Sequence, residues 1–213
     1  GINGDMGRAM NWVILKDKST GMEFFFMCTH MDAHYEEVRT LSAELIAKKA
    51  TELSEGRPVI MVGDWNTNEH KPAYQYLAYG EYADARYRTA DLEDMAIYSS
   101  YNKWGEFADQ HYSRPPIDHC FVSPSNVFVD SAHVDQAFID EDKTMFASDH
   151  NATIYNLQLL LPQAEEPETE PDTTVEETEE PVTTAPETET VVSETEPETE
   201  HETKAEESET ATQ

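Results

Sequence analysis

The chain has 213 residues and a formal net charge of -30, and the charge is unevenly distributed. From Gln163 onward there are 19 acidic residues, one basic residue and no aromatic residue, whereas residues 1–162 carry a net charge of -12. Every Trp, Tyr and Phe therefore lies in residues 1–162, which are numerous enough to bury one hydrophobic core. A negative charge on this part argues against the basic surface that tight binding to nucleic acid phosphates requires.

Residues 163–213 are rich in Pro, Thr and Glu and repeat the units Glu-Thr-Glu and Thr-Glu-Pro. This composition cannot bury enough apolar surface to offset the entropy lost on ordering, so it predicts a disordered acidic stalk without catalytic residues. Stalks of this kind are frequent on surface proteins, and we expect an extracellular or cell-surface-anchored protein. Because the sequence shows no initiator Met, signal peptide or transmembrane run, we interpret both of its ends as internal to a longer polypeptide.

Two strands are predicted at 10–16 and 22–30, joined by a hairpin turn that ends at Gly21. The second strand contains Phe-Phe-Phe-Met-Cys, which is apolar on both faces and therefore predicts a central strand covered on each side. Cys28 and Cys120 both fall in apolar strands. We expect free core thiols, with a disulfide as the alternative.

A covering helix is predicted at 33–54, with Asp32 as its N-cap and Gly56 after its end. Further elements are a short helix at 72–79 and strands at 59–62, 117–123, 127–138 and 152–161. The apolar residues at near-helical spacing define the expected buried face of the first helix: Val38, Leu41, Leu45, Ile46 and Leu53. Aromatic residues in the irregular segment 81–110 either line a substrate groove or serve as packing: Tyr87, Tyr98, Tyr101 and Trp104.

The buried strand at 59–62 leads directly into Gly63-Asp64-Trp65-Asn66. Gly63 permits a sharp turn, and Asp64 and Asn66 are expected on the same side because they are two residues apart. A carboxylate and an amide at the mouth of a buried strand suit a site that holds a metal and a phosphate. The alternative is an ordinary turn, since Asp, Asn and Gly are common turn residues.

Four motifs place polar groups at strand ends in this order: Thr29-His30-Met31-Asp32, Gly63-Asp64-Trp65-Asn66, Ile117-Asp118-His119-Cys120 and Ser148-Asp149-His150. Together, over residues 8–161, they resemble the endonuclease/exonuclease/phosphatase family of metal-dependent phosphoesterases. The resemblance implies an α/β fold for residues 1–162, the DNase I-like four-layer α/β/β/α sandwich. It also implies a magnesium-dependent phosphoric ester hydrolase.

The resemblance assigns a role to each polar residue of the first two motifs. Asp64 would orient the attacking water or bind the metal. Asn66 and His30 would donate hydrogen bonds to the phosphoryl oxygens as negative charge develops there.

The last two motifs would supply the proton transfer and a further metal ligand. By the resemblance, His150 would be the general acid and base, and Asp118 would accept its other ring N–H. Asp149 would face the divalent cation, directly or through its water. Oxygen ligands that retain water favour Mg²⁺ or Mn²⁺ over Zn²⁺.

The sequence departs from the family pattern in three places. A family Asn and a Glu that is a principal metal ligand are expected upstream of Gly1, so we interpret the chain as the C-terminal portion of the domain and expect it to be inactive alone. His119 stands where a bulky apolar or aromatic residue is usual. Asn151-Ala152 stands where a hydrophobic-Pro pair is common.

The substrate class stays open at the level of sequence. The family spans enzymes that act on small molecules, lipid headgroups and nucleic acids, on monoesters and on diesters. Arg86, Arg88 and Arg114 either form a phosphate-binding patch or are ordinary surface residues. We expect a monomer without a transmembrane segment. The alternative function is a non-catalytic cell-surface interaction or display module that retains the fold.

Overall fold

Seven strands and two α-helices make up the part of the chain that the computed structural model describes, residues 4–89, 99–107 and 114–160. Gly1, Tyr98 and the predicted stalk lie outside these residues. The strands are β1 (Met10–Lys16), β2 (Glu23–His30), β3 (Val59–Asp64), β4 (Ala83–Asp84), β5 (Asp118–Val122), β6 (Val127–Asp135) and β7 (Ala152–Leu159). The helices are α1 (Glu36–Ser54) and α2 (Pro72–Ala78), and a 3₁₀ helix spans Ala85–Arg88.

Five strands form one mixed sheet in the order β1-β2-β3-β5-β4, and β6 and β7 form a second, antiparallel sheet. Strands β2 and β3 run parallel, with α1 as the connection between them. Strand β5 runs antiparallel to β3. The start of β5 therefore lies at the same edge of the sheet as the ends of β2 and β3.

Two hydrophobic clusters hold three layers together. One cluster joins the helices to the first sheet and includes Phe25, Ile46, Met61 and Leu77. The other joins the opposite face of that sheet to β6 and β7 and includes Ile60, Val122 and Val129. This α/β/β stacking confirms the predicted α/β class. The second helical layer of the four-layer sandwich is not among the residues that the structure describes.

Helix α1 begins later than predicted, at Glu36, and its N-cap is Tyr35 rather than Asp32. The Asp32 carboxylate accepts hydrogen bonds from the backbone N–H groups of His34 and Tyr35, at 2.9 and 2.8 Å. Asp32 thus closes a local turn that precedes the helix, which is a common alternative use of a capping residue.

The buried face of α1 also differs from the prediction. Leu41 and Leu45 are 48% and 57% exposed, whereas Ala43, Ala47 and Ala50 are buried. Small side chains face the sheet because they allow the helix backbone to approach it closely. A prediction based on large apolar residues was therefore wrong for Leu41 and Leu45.

Strand β2 lies between β1 and β3 as predicted, but its two faces differ. Phe25 and Met27 are fully buried, whereas Phe24 is half-buried and Cys28 is exposed. Both cysteines are free, and burial raises the pKa of the Cys120 thiol. The expectation of a core thiol is therefore confirmed for Cys120 and wrong for Cys28. Neither helix in the described part of the chain combines the length and hydropathy needed to span a bilayer.

Candidate active site

The register of the first sheet brings three of the predicted site residues side by side. His30, the last residue of β2, pairs with Asp64 at the end of β3, and Asp64 pairs with Asp118 at the start of β5. Because three neighbouring strands end or begin at this edge, polar side chains can collect there without interrupting the hydrophobic core.

Gly63 makes the close approach of β2 and β3 possible. Its φ is 147°, and a Cβ atom at this position would lie 1.9 Å from the carbonyl oxygen of Thr29. Gly63 belongs to strand β3, so the predicted sharp turn at this residue was wrong. The chain turns instead at Asn66, whose φ is 47° and whose backbone N–H donates to the Asp64 carboxylate at 2.9 Å.

The side chain of Asn66 is already held by the protein. Its Nδ2 donates to the carbonyl oxygen of Met31 at 3.1 Å, which fixes the amide beside the end of β2. An Asn amide group has two N–H donors, so one remains for a ligand. The Asp64 carboxylate also has a neighbour on β2, since His30 Nε2 lies 3.2 Å from its Oδ2 atom.

His150 links Asp118 to Asp64. Its Nδ1 lies 2.8 Å from Asp118 Oδ2, and its Nε2 lies 3.9 Å from Asp64 Oδ2. The hydrogen bond to Asp118 raises the pKa of His150 against the opposing effect of burial. Burial, followed by the negative charge of Asp118, raises the pKa of Asp64. The three side chains thus form one interacting unit at the edge of the sheet.

The same three residues form a possible cation site. One ligand atom from each of Asp64, Asp118 and His150 can be chosen so that all three atoms lie within 4.8 Å of one another. The pKa of Asp64 is raised first by burial and then by the negative charge of Asp118, and a divalent cation would compensate that charge. The two carboxylates of this group supply the oxygen ligands that such an ion prefers.

Asp149 lies outside this group of three. It is half-buried, and its backbone carbonyl accepts hydrogen bonds from the N–H groups of Asn102 and Lys103, at 2.8 and 3.0 Å. Its negative charge makes a minor contribution to the raised pKa of His150. Its role as a metal ligand stays a prediction. The family glutamate expected upstream of Gly1 stays a prediction as well, because the described residues begin after Gly1.

His119 is a residue near the site whose function the sequence did not reveal. It is 2% exposed, and its ring nitrogens lie 3.1 Å from the Asp84 carboxylate and 2.9 Å from the carbonyl oxygen of Thr67. It therefore anchors the loop that follows Asp64 to the interior of the protein. Strand alternation could have predicted this buried position, because the residue after Asp118 must face the opposite side of the sheet from Asp118.

The three arginines that were candidates for a phosphate-binding patch have three different environments. Arg86 is 3% exposed and lies 3.3 Å from the Asp84 carboxylate, so its charge is neutralised inside the protein. The Arg114 guanidinium stacks on the ring of Phe107 at 3.5 Å, whereas Arg88 is exposed.

The predicted aromatic residues have different environments. The ring of Tyr101 lies 5.1 Å from the ring of His150, between centroids, which places this tyrosine at the site. Tyr87 and Trp104 are 57% and 64% exposed.

A model of the endonuclease/exonuclease/phosphatase family matches residues 6–150. Similar solved structures include a mannosyl-6-phosphatase of Bacteroides thetaiotaomicron, with 28% identity, 74% of this chain and 60% of that chain covered, and a TM-score of 0.64. A family protein of Bacteroides vulgatus has 29% identity, covers 75% of this chain with 58% of its own length, and has a TM-score of 0.63. A second structure from Bacteroides thetaiotaomicron, a protein of the same family, has 25% identity and a TM-score of 0.66. The match covers 78% of this chain and 59% of that chain. Among curated protein sequences, none matches this chain.

Proposed function

Because the chain belongs to the endonuclease/exonuclease/phosphatase family, we propose that it provides the proton-transfer half of a phosphoester hydrolase. The observation that carries this proposal is the Asp118–His150–Asp64 arrangement, with contacts of 2.8 and 3.9 Å on the two sides of one imidazole. The chain spans about 60% of the length of the relatives described above. The activity of the whole protein is accordingly part of the proposal.

The two nitrogens of His150 have different tasks in this mechanism. Asp118 accepts a hydrogen bond from the Nδ1–H group and so fixes the tautomer in which Nε2 is free to move a proton. At Nε2 the imidazole takes a proton from the attacking water or gives one to the departing oxygen. Asn66 and His30 donate hydrogen bonds to the phosphoryl oxygens, where negative charge increases in the transition state.

A divalent cation, Mg²⁺ or Mn²⁺, would polarise the phosphoryl group and stabilise its negative charge when bound. Asp64 is suited to hold it, because the Asp118 carboxylate is engaged with His150 at 2.8 Å, whereas the nearer His150 nitrogen lies 3.9 Å from Asp64. We propose Asp149 as a further ligand, as the family resemblance implies.

We propose a small phosphate ester as the substrate rather than a nucleic acid. The net charge of -12 on residues 1–162 supports this choice, since a nucleic acid backbone would be repelled. The likeness to a mannosyl-6-phosphatase supports it as well, because that name denotes a phosphatase of a sugar phosphate. The half-buried Tyr101, whose ring lies 5.1 Å from that of His150, offers aromatic surface for a ring-shaped leaving group.

A substrate panel tests this proposal in the full-length protein. Mannose 6-phosphate, p-nitrophenyl phosphate, bis(p-nitrophenyl) phosphate and single-stranded DNA are assayed with Mg²⁺ and with EDTA. We expect release of inorganic phosphate from the monoesters that stops in EDTA. No hydrolysis of any of the four substrates would favour the alternative, a non-catalytic surface module that retains the fold.

A double-mutant cycle tests the pairing of Asp118 with His150. His150→Ala should lower kcat/KM by about 10²- to 10⁴-fold, the usual value of a positioned acid or base. Asp118→Asn should cause a similar or smaller loss, and the double variant should lose little beyond His150→Ala. Losses that multiply would show that Asp118 acts independently, for example on the metal.

A further inference from the structure

The Asp118–His150 pair joins two different sheets. Asp118 begins β5 in the five-stranded sheet, whereas His150 lies two residues before β7 in the two-stranded sheet. Their contact of 2.8 Å therefore depends on how the segment that contains His150 is held against the start of β5. The segment 99–107 is in contact with both sides.

On the β5 side, the contact is made by Ser100, which is fully buried. Its Oγ accepts hydrogen bonds from the backbone N–H groups of Ile117 and Asp118, at 2.9 and 3.1 Å. One hydroxyl group therefore binds the two backbone N–H groups at the start of β5, one of them that of Asp118.

On the other side, two buried asparagines hold the chain before and after His150. Asn102 Nδ2 donates to the side-chain oxygen of Asn151 at 2.8 Å and to the carbonyl of Ser148 at 3.2 Å. Asn151 donates through its backbone N–H to the carbonyl of Ser100 at 2.7 Å, and through Nδ2 to the carbonyl of Ser99 at 2.7 Å. Asn151 is one of the departures from the family pattern, and here it has a defined structural partner.

We propose that Ser100, Asn102 and Asn151 are positioning residues that set the distance between Asp118 Oδ2 and His150 Nδ1. We call these three residues the bracket. All three are at most 3% exposed, so their hydrogen bonds form in a low-dielectric interior where an unpaired polar group is costly. The bracket therefore holds one defined arrangement, and the reacting imidazole is oriented before the substrate binds. This inference rests on the proposed function of His150.

Two serines allow a matched test. Ser100→Ala removes the acceptor for the amides at the start of β5, where the site lies. Ser123→Ala removes a comparable acceptor, because Ser123 Oγ accepts the N–H of Val59 at 2.9 Å at the opposite end of the sheet. Both variants lose one hydroxyl that accepts a strand-end N–H, but only the first touches the Asp118–His150 pair.

The first readout is catalytic: variants of the full-length protein are assayed on p-nitrophenyl phosphate and bis(p-nitrophenyl) phosphate with Mg²⁺, and the rates are corrected for the amount of folded protein. We expect Ser100→Ala to lower kcat about ten- to a hundredfold with little change in KM, the usual consequence of a small misplacement. The kcat and KM of Ser123→Ala should equal those of wild type. In an Asp118→Asn background, Ser100→Ala should cost no further activity. An equal loss in both backgrounds would show a merely structural role and overturn the proposal.

The second readout does not depend on activity. The proton on His150 Nδ1 is followed by NMR and assigned by its loss in Asp118→Asn. Its exchange with water should be at least about tenfold faster in Ser100→Ala than in wild type or Ser123→Ala. Unchanged exchange in Ser100→Ala would overturn the bracket. If the exchange accelerates as expected but wild-type protein hydrolyses neither ester, the phosphoesterase proposal fails and the bracket stands.

A further variant serves if Ser100→Ala does not fold. Asn102→Asp keeps the size of the side chain and its acceptor for the Gly105 N–H, but replaces the donor to Asn151 with an oxygen. We expect Asn102→Asp to lower kcat and to accelerate the exchange of the His150 Nδ1 proton, and unchanged exchange would overturn the bracket. In wild type, the Asp118 and Asn151 amides should exchange at rates within about threefold of each other because one segment protects both, and widely different rates would contradict the bracket.

Discussion

Replacing Gly63 with Ala should destabilise the protein much more than an ordinary glycine substitution. The new Cβ would lie 1.9 Å from the carbonyl oxygen of Thr29, and contacts under 3.0 Å essentially do not occur. The neighbour is backbone in the adjacent strand, so it cannot rotate away. The parallel pairing of β2 and β3 would have to open at Thr29 and Gly63, directly before the pair His30–Asp64.

Two contributions determine the expected magnitude. A non-glycine residue at a φ of 147° is strained, which costs about 1–3 kcal/mol. Forcing extra volume into a packed structure costs about a further 1–3 kcal/mol. The sum, about 2–6 kcal/mol, is a large fraction of the roughly 5–15 kcal/mol that stabilises a typical domain.

Gly56 provides the matched control. Its φ is 80°, but a Cβ there would meet nothing within 4 Å, so Gly56→Ala carries the strain without the overlap. Urea denaturation followed by the fluorescence of the fully buried Trp65 measures both variants. We expect Gly63→Ala to lose about 1–3 kcal/mol more than Gly56→Ala. A difference below about 0.5 kcal/mol would refute the close approach of β2 and β3 as the reason for this glycine.

Three further predictions concern pH, metal and the acidic segment. Because the pKa of His150 is raised above 6.5 in the folded state, its contribution to stability should be fully present below about pH 6.5 and be lost as the pH rises through the folded-state value. Denaturation of metal-free wild type and His150→Gln at about pH 5.5 and 8.5 measures this contribution. A difference in unfolding free energy between the two proteins that grows with pH would contradict the prediction. Asp64→Asn should weaken Mn²⁺ binding at least about tenfold by calorimetry, whereas Asp17→Asn, in an exposed turn, should not. Deleting residues 163–213 from the full-length protein should leave kcat/KM for a small soluble ester unchanged, because every candidate site residue of this chain lies before them. A tenfold loss would show a catalytic contribution.

The positions of the strands could be predicted from the sequence, because continuous apolar runs followed by polar residues indicate buried strands. Strand β1 has the predicted bounds and β2 ends at His30 as predicted, whereas β3 continues two residues beyond its predicted end, to Asp64. The predicted pairing of Asp118 with His150 agrees with their 2.8 Å contact. That prediction came from the family resemblance, since the two residues are 32 positions apart and no local pattern relates them.

Other features depend on the packing of one element against another. Leu41 and Leu45 are exposed because the alanines of α1 approach the sheet, and hydrophobicity alone ranks leucine above alanine for burial. Gly63 resembles a turn residue in sequence, but it lies within a strand because a neighbouring backbone occupies the space of a Cβ. His119 and Asn151 look like departures from a motif, yet each is buried and satisfied by partners far away in sequence. Local patterns record the polarity of a position, whereas the partner of a buried polar group is determined by strand register and by the contact between sheets.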